Sequence, residues 1–385
     1  MSVRIGCGLS TGTDLRVAAA EAGTDARQGL DGRPADLAVV FCSGGHLAEP
    51  RATLEGVQEA LSPVALCGCG AGGVLGRGRE HEGVTAVAVW AAALGGGQAQ
   101  PFHALATPGI GGEVSVDGLP DAEGASAILL LPDPYSFPAD RALASLGEHA
   151  LGVPVLGGLS SARTLDGEAA LLLGDQVLGG GAVGVVLRGV EVLPCVSQGA
   201  APVGPLLEIT DVDGHVIREL DGRSALRVLR EAMEGLDGRE REMVAGGLLL
   251  GVEVGERDGG HDFLVRGIMG ADPQAGTVTV GAPVEPGRLV RLHARDAASA
   301  GNELREALEL RRQALGTDPA GALVFTCNGR GRSMFGMPDH DSGAVDEVLG
   351  GAPTAGFFAA GEIGPVGGAN VLHGFTATVA VFAGD

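Results

Sequence analysis

Arg330 and Arg332 stand two residues apart in FTCNGRGRSMFG, residues 325–336, on a turn loosened by three glycines. Side chains at that spacing on an irregular turn can splay around one small group, and guanidinium forks match carboxylates bidentately. Glu362, in GEIGP, takes the equivalent place after the following strand. If the two turns lie side by side, a cation pair faces one carboxylate, an arrangement that holds a zwitterion. Arg330 and Arg332 are then the anion contacts, Glu362 the contact for a cationic group, and Asn328 and His373 hydrogen-bonding neighbours. The plain alternative is a pair of exposed arginines balancing local acids. Cys327 ends the same apolar run beside these arginines, which can lower a thiol's pKa. A thiol nucleophile also needs a base, and His340 and His373 are distant in sequence with no local signature. A hydrolase or acyltransferase using Cys327 therefore stands as the competing class, and an interaction scaffold without a small ligand as a third.

Other motifs carry less chemistry. GCGAGG, residues 68–73, fits G-x-G-x-x-G after a strand, but a dinucleotide site needs a helix to start there, and VLGRGREHEG is too broken by glycine. The turn still offers backbone N–H groups, so Gly70 and Gly72, with Ser43 after the first apolar strand, are candidates for a second polar lining. Cys67-x-Cys69 lacks a second pair at zinc spacing and reads as packed thiols. Asp339, His340 and Asp341 read as a solvated turn in which Asp caps a helix. No metal or cofactor is expected.

Composition narrows the function classes further. The net charge of −22 argues against nucleic-acid binding. All 26 basic residues are arginine, which excludes a Schiff-base lysine and a phosphate-loop lysine. Six cysteines at irregular spacing do not form a disulfide framework. Neither a signal peptide nor a membrane span is read, so the expected location is the cytoplasm.

The positioning elements repeat. DLAVVF, a helix over TLEGVQEAL, PVALCG and a glycine turn give strand, loop, helix, strand, turn. The order returns from SAILLL to VPVLGGLSS, and again from GALVFT to PTAGFF and AAGEIGP, each copy followed by one more strand. Between the second and third copies lie a hairpin turning at Asp213-Gly214, a helix with Leu226, Leu229, Met233 and Leu236 on one face, three further strands, and a long helix near 297–315. The predicted fold class is α/β: two α/β domains with mixed sheets flanked by helices, built from repeated strand-loop-helix-strand units ending in glycine-rich turns. The boundaries read are a helical lead-in at 1–34, then domains at 35–221 and 222–385.

CNGRG at 327–331, GFFAAGEIGP at 356–365 and LHGFTATVAVF at 372–382 resemble the C-terminal part of the FIST family (F-box and intracellular signal transduction proteins). DFLVRGIMGAD and RLHARD are similar to the segment before it, and GCGAGGVLG, DPYSFPAD and VPVLGGLSS follow the order of the FIST N-terminal domain. The resemblance covers roughly 35–383 in the stand-alone form. It implies a sensory domain pair that binds a small ligand, an amino acid or a relative, with no catalytic residues to carry over, so an enzyme is the less expected outcome. With no output module read in the chain, signalling is expected to pass through a separate partner protein or through oligomerisation.

Overall fold

Each copy of the repeat supplies two short apolar strands around a helix, and the computed structural model, which describes residues 2–109, 114–245, 247–257 and 260–384, builds a separate sheet on each. The first copy runs β1 (Arg4–Ser10), α1 (Leu15–Gln28), β2 (Leu37–Ser43), α2 (Pro50–Leu61), β3 (Ala65–Gly70), the hairpin β4 (Gly73–Gly76) and β5 (Arg79–Glu82), and β6 (Ala86–Ala93). The second runs β7 (Gln98–Pro108), β8 (Val114–Asp117), β9 (Ala127–Pro132), α3 (Ala139–His149), β10 (Val155–Gly158), the hairpin β11 (Leu171–Leu173) and β12 (Gln176–Leu178), and β13 (Ala182–Arg188). The third opens with β14 (Val192–Ser197). It is interrupted by β15 (Ala201–Asp213), β16 (Val216–Leu220), β17 (Arg223–Ser224), α4 (Ala225–Glu234), α5 (Gly238–Val244), β18 (Leu248–Arg257), β19 (Gly260–Asp272), β20 (Thr277–Val280) and β21 (Leu289–Ala294). It resumes with α6 (Ala297–Leu315), β22 (Pro319–Cys327), α7 (Arg332–Phe335), α8 (His340–Val348), β23 (Thr354–Ala359), the hairpin β24 (Glu362–Val366) and β25 (Ala369–His373), and β26 (Ala377–Ala383).

Two compact units result. One holds the residues up to Ser197 and those from Leu304 onward, and the other is Gln198–Glu303. The boundary read at Asp221-Gly222 falls inside the second unit, in the turn between β16 and β17. The lead-in 1–34 holds a strand as well as a helix, since β1 pairs along its length with β6.

In the first unit every copy has the same centre: a parallel pair (β2 with β3, β9 with β10, β22 with β23) and an antiparallel strand beside its first member (β6, β13, β26). The hairpin after each second strand leaves its own copy. β4 pairs with β23, β11 with β3, and β24 with β10, so the exchange closes a cycle through the three copies.

Side chains alternate across each first strand. Val39 and Phe41, Leu129 and Leu131, and Leu323 and Phe325 enter one shared core. Their neighbours Ala38 and Val40 pack with α1 and α2, Ile128 and Leu130 with α3, and Ala322 and Val324 with α6 and α8. Strands buried on both faces read as continuous apolar runs for this reason. Phe41, Phe325 and Phe357 form an aromatic cluster in the shared core, with centroids 4.9–6.2 Å apart. Cys67 and Cys69 are buried there as well.

The mixed sheets lie in the first unit, and the second is built on a different one. Its strands are antiparallel in the order β15-β21-β18-β19-β20-β16-β17, and pairing of β15 with β16 closes the sheet on itself. The buried residues of α4 are Ala225, Val228, Leu229 and Ala232, while Met233 is exposed. Of the stripe read from local periodicity, Leu229 and Leu236 are buried and Leu226 packs against the core, while at Met233 the inward place is taken by Ala232.

Candidate functional site

The glycine turns after the three second strands meet within the first unit. Ser160 Oγ donates to Gly70 O at 2.8 Å, Gly72 N donates to Ser161 Oγ at 2.9 Å, and Ser161 Oγ donates to Phe358 O. Leu159 N donates to Gly361 O at 2.8 Å and Ala360 N to Leu159 O at 3.0 Å. Gly72 faces the side chain of Asn328: a Cβ added to it lies 3.8 Å from both Asn328 Oδ1 and Ser161 Oγ. The amide of Gly70 donates to Ala170 O at 2.8 Å and so is used within the fold.

Arg330 turns inward. Its guanidinium is 0% exposed, and its Nε and Nη2 donate to Asp341 Oδ2 at 2.7 Å and Oδ1 at 3.0 Å. Thr326 Oγ1 donates to Asp341 at 2.6 Å, and His340 Nδ1 lies 2.9 Å from the same carboxylate. Burial alone would raise the Asp341 carboxyl, but the Arg330 guanidinium and these hydrogen bonds hold it well below the usual carboxylate range. Asp341 is thus a buried counter-ion and not part of a solvated turn. Its backbone N, with that of Ser342, donates to Glu80 Oε1 at 2.9 Å, and Asp339 Oδ1 accepts from Glu80 N at 2.7 Å. These bonds tie the swapped hairpin of copy one to the first turn of α8.

Arg332 turns outward, into a recess of about 250 Å³ lined with Glu80, His81, Glu82 and Val84. Its backbone N donates to Glu82 Oε1 at 2.9 Å, and its guanidinium has no hydrogen bond or ion pair among the described residues. Gly331 makes room for this contact, since a Cβ there lies 2.2 Å from Glu82 Oε2. Glu80 is 9% exposed, and its Oε2 has no partner among the described residues. Burial raises its carboxyl pKa, partly offset by the N–H of Ser342.

Glu362 and Cys327 form a second buried pair behind the turn. Glu362 Oε2 accepts from Thr376 N at 3.1 Å and Thr376 Oγ1 at 2.6 Å, and the Cys327 thiol lies beside the carboxyl. Burial pushes the Glu362 carboxyl up to about 8, and burial with the neighbouring Glu362 pushes the thiol up to about 12. The sulfur also accepts from Gly329 N at 3.4 Å and from the backbone of Phe375, whose φ of +66° is strained for a bulky residue. His373, opposite Glu362 in the hairpin, is buried with Nε2 3.0 Å from Gly364 O. Ser43 is buried and donates to Val84 O at 2.7 Å, stapling backbone to backbone.

Two family models match the chain, the FIST N domain over residues 36–223 and the FIST C domain over residues 225–365. The chain belongs to the FIST family. FIST domains are signal-transduction sensory domains. Full-length relatives are similar throughout: uncharacterized protein Rv0628c of Mycobacterium tuberculosis is 44% identical over 99% of this chain and 100% of its own length. Uncharacterized protein Mb0898c of Mycobacterium bovis is 42% identical over the whole of both chains.

The recess of this FIST protein draws on both matched regions, Glu80 and Glu82 from the first and Arg332 from the second, yet all lie in one compact unit. The sequence reading brought out Arg332, Asn328 and Gly72 but missed Glu80, Glu82, Ser161 and the counter-ion Asp341. A signal for the glutamates was available: in REHE they alternate with His81 on a strand, so both face one side. No local pattern announced that this strand joins copy three.

Proposed function

We propose that this FIST protein is a cytoplasmic sensor for a small zwitterion, an amino acid or a close relative, which passes its signal to a separate partner protein. The observation that carries the reading is the 250 Å³ recess in which an unpaired guanidinium, that of Arg332, stands with the carboxylates of Glu80 and Glu82. Arg332 takes the ligand's carboxylate, and the glutamates that line the recess, Glu82 and the buried, unpartnered Glu80, take its ammonium group. Asn328, Gly72 and Ser161 form the adjoining polar rim. Arg330, Glu362, His373 and Ser43 support the turns from within, in place of the direct contacts expected for them. A nucleophilic role for Cys327 is disfavoured, since burial and the neighbouring Glu362 carboxyl push its thiol pKa up, away from the reactive thiolate. In keeping with a non-membrane location, no helix among the described residues is long and apolar enough to cross a membrane.

A thermal-shift screen against amino acids, organic acids and amines tests the reading, with Arg332→Gln and Glu80→Gln alongside. A ligand at a hundred times its Kd stabilises the fold by about 2.7 kcal/mol, a shift of a few degrees. The expected result is a shift with one amino-acid class that Arg332→Gln abolishes. The affinity should also rise with pH as Glu80 ionises. No shift with any amino acid, or an undiminished shift in both variants, removes the recess as the sensor site.

A further inference from the structure

We propose that Asp133 and Arg163, in the second copy, form another binding site, one that takes a planar carboxamide. The site is independent of the recess at Arg332. It lies in the DPYSFPAD segment after β9, which the sensor reading does not use.

The internal repeat defines the position. Phe41, Leu131 and Phe325 enter the shared core at the same step of the three first strands, and the residues after them pair alike, Cys42 with Val87, Pro132 with Ala182 and Thr326 with Ala377. The next residues, Ser43, Asp133 and Cys327, are therefore equivalents. In copy one the Ser43 hydroxyl has two backbone carbonyls within reach, at 2.7 and 3.4 Å. In copy three the sulfur of Cys327 has backbone N–H groups and the Glu362 carboxyl. In copy two only one oxygen of the Asp133 carboxyl is partnered among the described residues.

Asp133 is 0% exposed. Its Oδ2 accepts from Ser136 Oγ at 2.6 Å and from Arg163 Nη2 at 3.2 Å, while Oδ1 has no partner among the described residues. Arg163 Nε, also buried, has none either. The same two residue types at Arg330 and Asp341 close both halves of the fork, Nε to Oδ2 and Nη2 to Oδ1. At Arg163 and Asp133 one half is made, and one acceptor and one donor of the same ion pair remain. A buried polar atom left unsatisfied costs about 1–3 kcal/mol, and native structures leave few of them.

An unpartnered acceptor and an unpartnered donor on one ion pair are complemented by a group that carries a donor and an acceptor on the same carbon. A carboxamide meets this requirement, with its N–H to Asp133 Oδ1 and its carbonyl oxygen to Arg163 Nε. A carboxylate lacks the donor and an amine lacks the acceptor. Tyr135, the single tyrosine of the chain, is 78% exposed, and its ring centre lies 4.9 Å from the Arg163 guanidinium. Turning that ring aside uncovers the guanidinium and gives a planar ligand an aromatic face on which to stack.

Calorimetric titration of the full chain with nicotinamide, nicotinate and benzylamine is the test, because the three probes carry the whole edge, its acceptor and its donor. Nicotinamide should bind at least tenfold more tightly than the other two. Arg163→Met should weaken it at least tenfold, and Tyr135→Ala, a surface change that leaves the fold intact, should weaken it severalfold. The proposal is overturned if nicotinamide shows no saturable binding at millimolar concentration, if it binds equally in both variants, or if a crystal grown with it holds only a water between Oδ1 and Nε.

Discussion

A guanidinium with no exposed surface is uncommon, and at Arg330 the ion pair accounts for its charge: both carboxylate oxygens of Asp341 are used, and Thr326 and His340 hold that carboxylate from the other side. Removing one partner leaves the other charge buried and alone, so Arg330→Met or Asp341→Asn should cost about 3–5 kcal/mol in urea unfolding. The double change to Met and Leu should recover much of that, and single costs below about 1 kcal/mol would show that the pair does not hold the turn. Glu362 gives a pH signature of definite sign. Its carboxyl titrates near 8 when folded against 4.5 as its ordinary value, so its contribution to stability is complete below about pH 4.5 and is lost as pH rises toward 8. The melting temperature of Glu362→Gln should fall less than that of the parent between pH 5 and 8. Parallel curves would show a carboxyl that ionises freely. At this scale the sequence was legible in residue type and not in direction. Two arginines in NGRGR, residues 328–332, announced charge recognition, but which one turns inward depends on Asp341, eleven residues on, and on Glu80, from another copy.

At the scale of elements, the repeated strand-loop-helix-strand unit was legible because fully buried strands are continuous apolar runs and the turns after them are rich in glycine. Neither the hairpin exchange nor the closed antiparallel sheet of the second unit was legible, since hydrophobic pattern reports that a strand is buried and not which strand lies beside it. Two glycines separate these kinds of information experimentally. Gly356 sits on β23 with a prospective Cβ only 1.9 Å from the carbonyl oxygen of Val324. Gly356→Ala should destabilise by about 1–3 kcal/mol or more, because strand backbone must move. Gly343, inside α8, has no atom within 4 Å of its prospective Cβ and an ordinary φ. Gly343→Ala should stabilise by about 0.5–1 kcal/mol through helix propensity alone. Equal effects of the two changes in urea titrations would mean that close approach at β23 is not what demands glycine.

For the whole molecule, the chain's two compact units make different demands. Residues 198–303 are contiguous and own a core that includes Val203, Ile209, Ile217, Leu229, Val278 and Leu292. Expressed alone, this segment should show a cooperative thermal transition by circular dichroism, and a flat, disordered spectrum would count against its independence. No such excision is open to a single copy of the first unit. Each sheet there is finished by a hairpin borrowed around the cycle: copy one supplies copy three, copy three supplies copy two, and copy two supplies copy one. Loop-closure entropy must be met before pairings this distant in sequence give anything back. On the ribosome, the sheet of copy one waits for the hairpin of copy two, and that of copy two waits for the hairpin near the chain's end. Until β24 and β25 have emerged, β10 offers an open flank to any neighbouring strand, so a chaperone that shields such edges during synthesis would serve this protein more than one that acts after release.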